Sequence, residues 1–111
     1  MDDKNGRVFV TQEARTGKID YSPARLFGTL NFITVMDFSS EEESLTNKVL
    51  VDEIRSKLRD FNPDSDYIVI TGSPLVAAAV FMILRERTHT VRVLRWSNIH
   101  HVYSVVNINL M

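Results

Sequence analysis

The stretch "YIVITGSPLVAAAVFMILRER", residues 67–87, limits the folds open to this chain more than any other segment. Tyr67 to Ile70 show no polar alternation. Such an apolar, mostly β-branched run predicts a central strand covered on both faces. Thr71-Gly72 ends it, Ser73 suits a helix N-cap, and Pro74 suits the first helical position, where its missing N–H costs nothing. From Leu75 to Leu84 no polar residue occurs, and Arg85 and Arg87 complement the negative end of a helix running to about residue 87. A buried strand passing through a glycine turn into a helix is the repeating unit of parallel α/β sheets. It is also the unit that holds phosphate, because free N–H groups at the helix start point at the ligand. Thr71, Gly72 and Ser73 can therefore be read as a phosphate cradle or as a strand-to-helix turn.

The remaining elements follow from periodicity and punctuation. Arg7 to Thr11 ("RVFVT") predicts a first strand. "QEARTGKIDYSPARLFG" predicts a long loop with one helical turn near Pro23 to Leu26, and Thr29 to Met36 predicts a second strand. "DFSSEEESL" predicts a helix start with Ser40 and Glu43 as a capping box, the acidic run lying at the positive end of the dipole. Leu50, Val51, Ile54, Leu58 and Phe61 then repeat at helical spacing until Asn62-Pro63. Thr90 to Trp96 and His101 to Leu110 predict two strands joined at "SNIH", with Val102, Ser104, Val106, Ile108 and Leu110 on one face of the second. The order β-β-α-β-α-β-β predicts an α/β fold: a single compact domain over residues 1–111, with residues 1–6 flexible. Its sheet should be mixed and mostly parallel, with a C-terminal antiparallel hairpin.

Composition narrows the function classes. The 111 residues contain no cysteine, which excludes disulfides, thiolate metal sites and thiol catalysis. "MDDKNGRVFV" lacks the apolar core of a signal peptide, and no apolar run reaches the length of a membrane span, so a soluble cytoplasmic protein is expected. The net charge of −1 argues against bulk nucleic-acid binding. Charge is unevenly placed, however: residues 67–111 hold four arginines, one acid and all three histidines.

Several sites can be weighed on the residues alone. The turn at Gly72 lacks both G-x-G-x-x-G and G-x-x-x-x-G-K-[ST], and Pro74 removes an N–H that an anion would use, which favours the structural reading. Arg92, Arg95, His100 and His101 gather basic groups on the last hairpin, near Trp96 and Tyr103. Such a surface suits single-stranded nucleic acid, and it equally suits an edge hairpin blunted by arginine. His100 and His101, as neighbours on a strand, would point apart, so no metal site is expected. No nucleophile elbow or triad order appears, no catalytic residue is assigned, and no cofactor is implied. The helix from Pro74 has no hydrophilic face, so Ala77, Ala78, Phe81 and Met82 are candidate interface residues, and a homodimer is the simplest partner.

"VFVTQE", "YSPARLFG", "LRDFNPDSDYIVITGSP", "VRVLRW" and "YSVVNINL" together resemble a group of small uncharacterised proteins encoded by bacteriophages, over about residues 8–110. The resemblance implies a phage origin, hence the host cell cytoplasm, and no particular activity. Relatives typically read G-D-P where this chain has Gly72-Ser73-Pro74, and W-D where it has Trp96-Ser97. Aspartate and serine are interchangeable as N-caps and turn starters but not as acid–base or metal groups, so both differences favour structural turns. The expected function is a non-enzymatic phage accessory protein that self-associates and binds a host or viral protein. The alternative is a nucleotide or nucleic-acid binder built on the Gly72-Ser73 turn and the basic hairpin.

Overall fold

Strand β3 (Tyr67–Val69) lies at the middle of a five-stranded sheet of order β2-β1-β3-β4-β5. The other strands are β1 (Arg7–Val10), β2 (Thr29–Phe32), β4 (Thr90–Ser97) and β5 (Val102–Asn109). The chain was analysed as a computed structural model, which describes residues 6–14, 20–41 and 44–111. β1 pairs in parallel with β2 and β3, β3 pairs in parallel with β4, and β4 and β5 form an antiparallel hairpin. This is the α/β class and element order that the sequence predicts.

Each face of the sheet has its own core. Phe9, Ile68, Val91 and Val93 point to one face, where α1 (Leu45–Lys57) and α2 (Pro74–Arg85) cover them with Leu50, Ile54, Val76 and Val80. Val8, Val10, Val69 and Leu94 point to the other, which is covered by the 3₁₀ segment Ser22–Leu26 and flanking aromatics: Tyr21, Phe27, Tyr67 and Tyr103. The chain moves one way across the sheet through α1 and α2, and the opposite way from β1 to β2 through the 3₁₀ segment on the far face. The three parallel crossovers therefore share one hand, as chain chirality requires.

Several boundaries differ from the sequence reading for identifiable reasons. α1 begins at Leu45, not after Ser40. Its cap is Ser44, whose Oγ accepts from the Asn47 N–H at 3.3 Å. The Asn47 side chain reaches back to Ser39, accepting its N–H at 2.7 Å and donating to its carbonyl at 2.8 Å, which holds the preceding serines extended. Glu43, the other half of the expected capping box, lies outside the described residues, as do residues 1–5 and 15–19. β2 stops at Phe32, although the Ile33 N–H still bonds the Val10 carbonyl at 2.9 Å. His101 is not the first residue of β5: it closes the hairpin turn with φ 55°, in the left-handed region that histidine, like asparagine and aspartate, enters more readily than most residues.

Asp66, 2% exposed, organises the N-terminal end of the sheet. Its carboxylate accepts from the backbone N–H groups of Arg7 at 2.9 Å and Asn62 at 2.8 Å, and pairs with the Arg7 guanidinium at 3.1 Å. This ties the start of β1 to the loop entering β3. It also places Asp66 at the end of the sheet remote from the Gly72 turn.

Candidate functional site

β1 and β3 are neighbours whose following connections leave for opposite faces, the 3₁₀ segment to one and α2 to the other. This is the topological switch point, where open α/β sheets form a crevice beyond the strand C-termini. In this chain the crevice is filled from within. Thr11, fully buried, receives the Thr71 N–H on its hydroxyl at 3.0 Å and donates that hydroxyl to the Thr71 carbonyl at 2.8 Å. The Thr71 hydroxyl donates to the Gln12 carbonyl at 2.6 Å. Gln12 Oε1 accepts from the Ser73 N–H at 2.7 Å, and its Nε2 donates to the Met36 carbonyl at 2.8 Å.

The donors that could face an anion are thereby engaged. Ser73 N–H is held by Gln12, Pro74 has none, and Leu75 and Val76 donate to Ser73 Oγ at 3.2 and 3.5 Å. The Ala77 N–H bonds the Ser73 carbonyl at 3.2 Å. Gly72 has φ 78°, and a Cβ there would collide with the Gln12 side chain. Glycine is needed twice over, for its backbone conformation and for the space that Gln12 occupies.

Beside this plugged crevice, on the 3₁₀ face, lies a cleft of about 640 Å³ lined by Asp20, Pro23, Val69, Ile70, Thr71, Leu94, Trp96, His101 and Tyr103. Trp96 and Tyr103 are direct cross-strand partners in the hairpin. Their rings lie 5.0 Å apart at 61°, and His101 stands 6.0 Å from the indole at 73°. The three rings make a corner rather than a stack. Burial first, then the neighbouring Tyr21 and Asp20, pushes the Tyr103 phenol above its ordinary value of 10.0. Asp20 is exposed, and hydrogen bonding to Ser22 holds its carboxyl below the usual range.

A family model described as Phage Pam3 gp32-like protein matches residues 6–110. The chain belongs to that family. No curated protein and no solved structure matches it. Membership supports the phage resemblance drawn from the sequence and brings with it no activity. Among the described residues no helix is long and apolar enough to cross a membrane.

The residues singled out in the sequence are distributed unevenly. Thr71 and His101 meet in the aromatic cleft, with Gly72 and Ser73 adjacent to it. The two arginines are not brought together. Arg92 lies on the 3₁₀ face, its guanidinium 4.1 Å from the Tyr67 ring centroid, while Arg95 lies one residue out of phase with Trp96 and lines a groove beside α2. His100 is in the exposed hairpin turn, its N–H donating to Ser97 Oγ at 3.1 Å. Of the proposed interface residues, Ala77 is buried against the sheet. Ala78 and Met82 face outward, and Phe81 is half-buried at the α2 flank facing the hairpin. Ala77 is inward because it lies one turn after the helix N-cap, on the side shared with Val80 and Leu84.

α2 does not reach across to β5. Between them lies a groove of about 550 Å³, lined by Phe81, Val93, Val106, Ile108 and Leu110 among others. Leu75 and Met82, 63% and 71% exposed, continue the apolar surface along the outer side of α2. β5 is a sheet edge of eight residues with no charged side chain. Gln12 and Asp20 were not assigned to a site from the sequence, and Trp96 and Tyr103 entered there as neighbours of the basic hairpin residues. Only the Trp96–Tyr103 pair had a readable signal there, through the placement of the hairpin turn.

Proposed function

We propose that this phage protein works without catalysis, as a self-associating module in the host cytoplasm. Its contact surface is the apolar face formed by the outer side of α2 and the uncovered side of the β4–β5 hairpin. The observation that carries this reading is the apolar groove lined by Phe81, Val106, Ile108 and Leu110, with Leu75 and Met82 exposed on the same helix. Patches of this kind on a small domain mark association sites. A second copy is the occupant that fits best. An uncharged edge strand is self-complementary in antiparallel pairing about a two-fold axis, and nothing on β5 repels its own image. Such pairing sets the two grooves side by side on one face of an extended sheet, where apolar groups of each copy cover those of the other.

The test is the mass in solution, by native mass spectrometry and light scattering, of the wild type, Met82→Glu and Ile108→Glu. The expected result is a wild-type dimer, with Met82→Glu and Ile108→Glu monomeric at unchanged circular dichroism. A wild type that stays monomeric at its highest soluble concentration removes the proposal. Dimers in both variants move the contact elsewhere.

A further inference from the structure

We propose that the cleft between the 3₁₀ segment and the C-terminal ends of β3 and β4 binds a small organic cation, of the methylated or quaternary ammonium class. Trp96, Tyr103 and His101 supply three aromatic walls at steep mutual angles, and Asp20 supplies a carboxylate at the rim. Aromatic faces attract a cation through the ring quadrupole, most strongly for tryptophan, and a methylated ammonium suits them because its charge is spread over apolar surface. The cleft's volume, about 640 Å³, lies in the range of small-ligand sites.

Three further observations point to the same charge sign. Among the described residues no lysine or arginine lines the cleft. The Ser73 N–H, the nearest helix-start donor, is already held by Gln12 and is not open to an anion. The Tyr103 phenol is pushed up first by burial, then by Tyr21 and the Asp20 carboxylate, the last of which places negative charge beside the rings. His101 adopts its left-handed backbone conformation at the turn position that sets its ring against Trp96. Backbone strain of this kind recurs at ligand sites.

The chain has one tryptophan, which lines this cleft and also the groove beside α2, so its fluorescence is read with Tyr103→Leu as the control for this cleft. Choline should quench or shift that emission saturably. Its uncharged isostere 3,3-dimethylbutan-1-ol should bind at least about tenfold more weakly, because the quadrupole term needs the charge. Asp20→Asn, a change at an exposed position, should weaken choline roughly threefold or more while leaving the far-ultraviolet spectrum unchanged. Tyr103→Leu should abolish saturation; should that variant unfold, Asp20→Asn and the isostere comparison still decide. No saturable response to choline, or equal binding of choline and its isostere, overturns the proposal. Tighter binding of adenosine than of choline also overturns it, and makes the cleft a slot for neutral heterocycles.

Discussion

The plug at the switch point predicts that Gly72 and Gln12 are energetically coupled, and a double-mutant cycle measures the coupling. Gly72→Ala imposes two costs. A left-handed alanine at φ 78° costs about 1 kcal/mol. The new Cβ also collides with the Gln12 side chain, which must leave, stranding the Ser73 N–H and the Met36 carbonyl. Two part-buried groups deprived of their partners cost about 2 kcal/mol together. The wild-type background should therefore lose about 3 kcal/mol on Gly72→Ala, most of it through Gln12.

Gln12→Ala alone should cost about 2 kcal/mol, since it strands the same two groups without altering the backbone at residue 72. In that background the added Cβ meets empty space, and Gly72→Ala should cost only about 1 kcal/mol more. The cycle therefore closes with a coupling of about 2 kcal/mol. Urea unfolding followed by the single tryptophan gives each corner, and with a slope of about 2 kcal/mol/M the Gly72→Ala midpoint falls by roughly 1.5 M. Additive single-mutant losses would refute the reasoning, because they would mean that Gln12 does not occupy the space beside Gly72.

Asp66→Ala should cost about 3 kcal/mol, because it leaves two buried N–H groups and the Arg7 guanidinium without their acceptor. The melting temperature should then drop by about 12 °C, and a drop of under about 4 °C would show that Asp66 does not organise that end of the sheet. Tyr103 should ionise above its ordinary value of 10.0, seen in the absorbance of the phenolate and removed by Tyr103→Phe. The folded state holds this proton longer than the unfolded one, so stability should fall as pH rises past 10.0. Tyr103→Phe should flatten that alkaline fall, and an unaltered slope would assign it to another group.

What could be read from the sequence was what local chemistry decides. Tyr67 to Arg85 came through because a continuous apolar strand, a glycine turn, a serine cap and an N1 proline all specify one conformation within a few residues. The start of α1 did not. Ser40 and Ser44 offer equivalent caps, and the choice is made by Asn47, whose side chain reaches eight residues back to Ser39. The polar loop before β2 gave no hint that Tyr21, Ala24 and Phe27 cover an entire face of the sheet. Gln12 was unreadable for a stronger reason. Its partner Ser73 lies 61 residues away, and a glutamine after a strand carries no pattern that distinguishes a plug from a surface residue.

The plug also explains how a nucleotide-like architecture can serve the opposite charge. In an α/β sheet the switch-point crevice favours anions because helix N–H groups open into it. Here a glutamine amide takes the Ser73 donor, a proline deletes the next, and a serine hydroxyl takes the two that follow. Without those donors, the remaining character of the strand C-termini comes from the side chains that the β4–β5 hairpin and the 3₁₀ connection bring there: an indole, a phenol, an imidazole and a carboxylate. Replacing any one of Gln12, Ser73 or Pro74 would restore at most part of the anion-binding geometry. Ser73→Asp would keep the cap and add a negative charge. The position should therefore accept serine or aspartate so long as it closes the helix start, as a turn requires and a phosphate cradle does not.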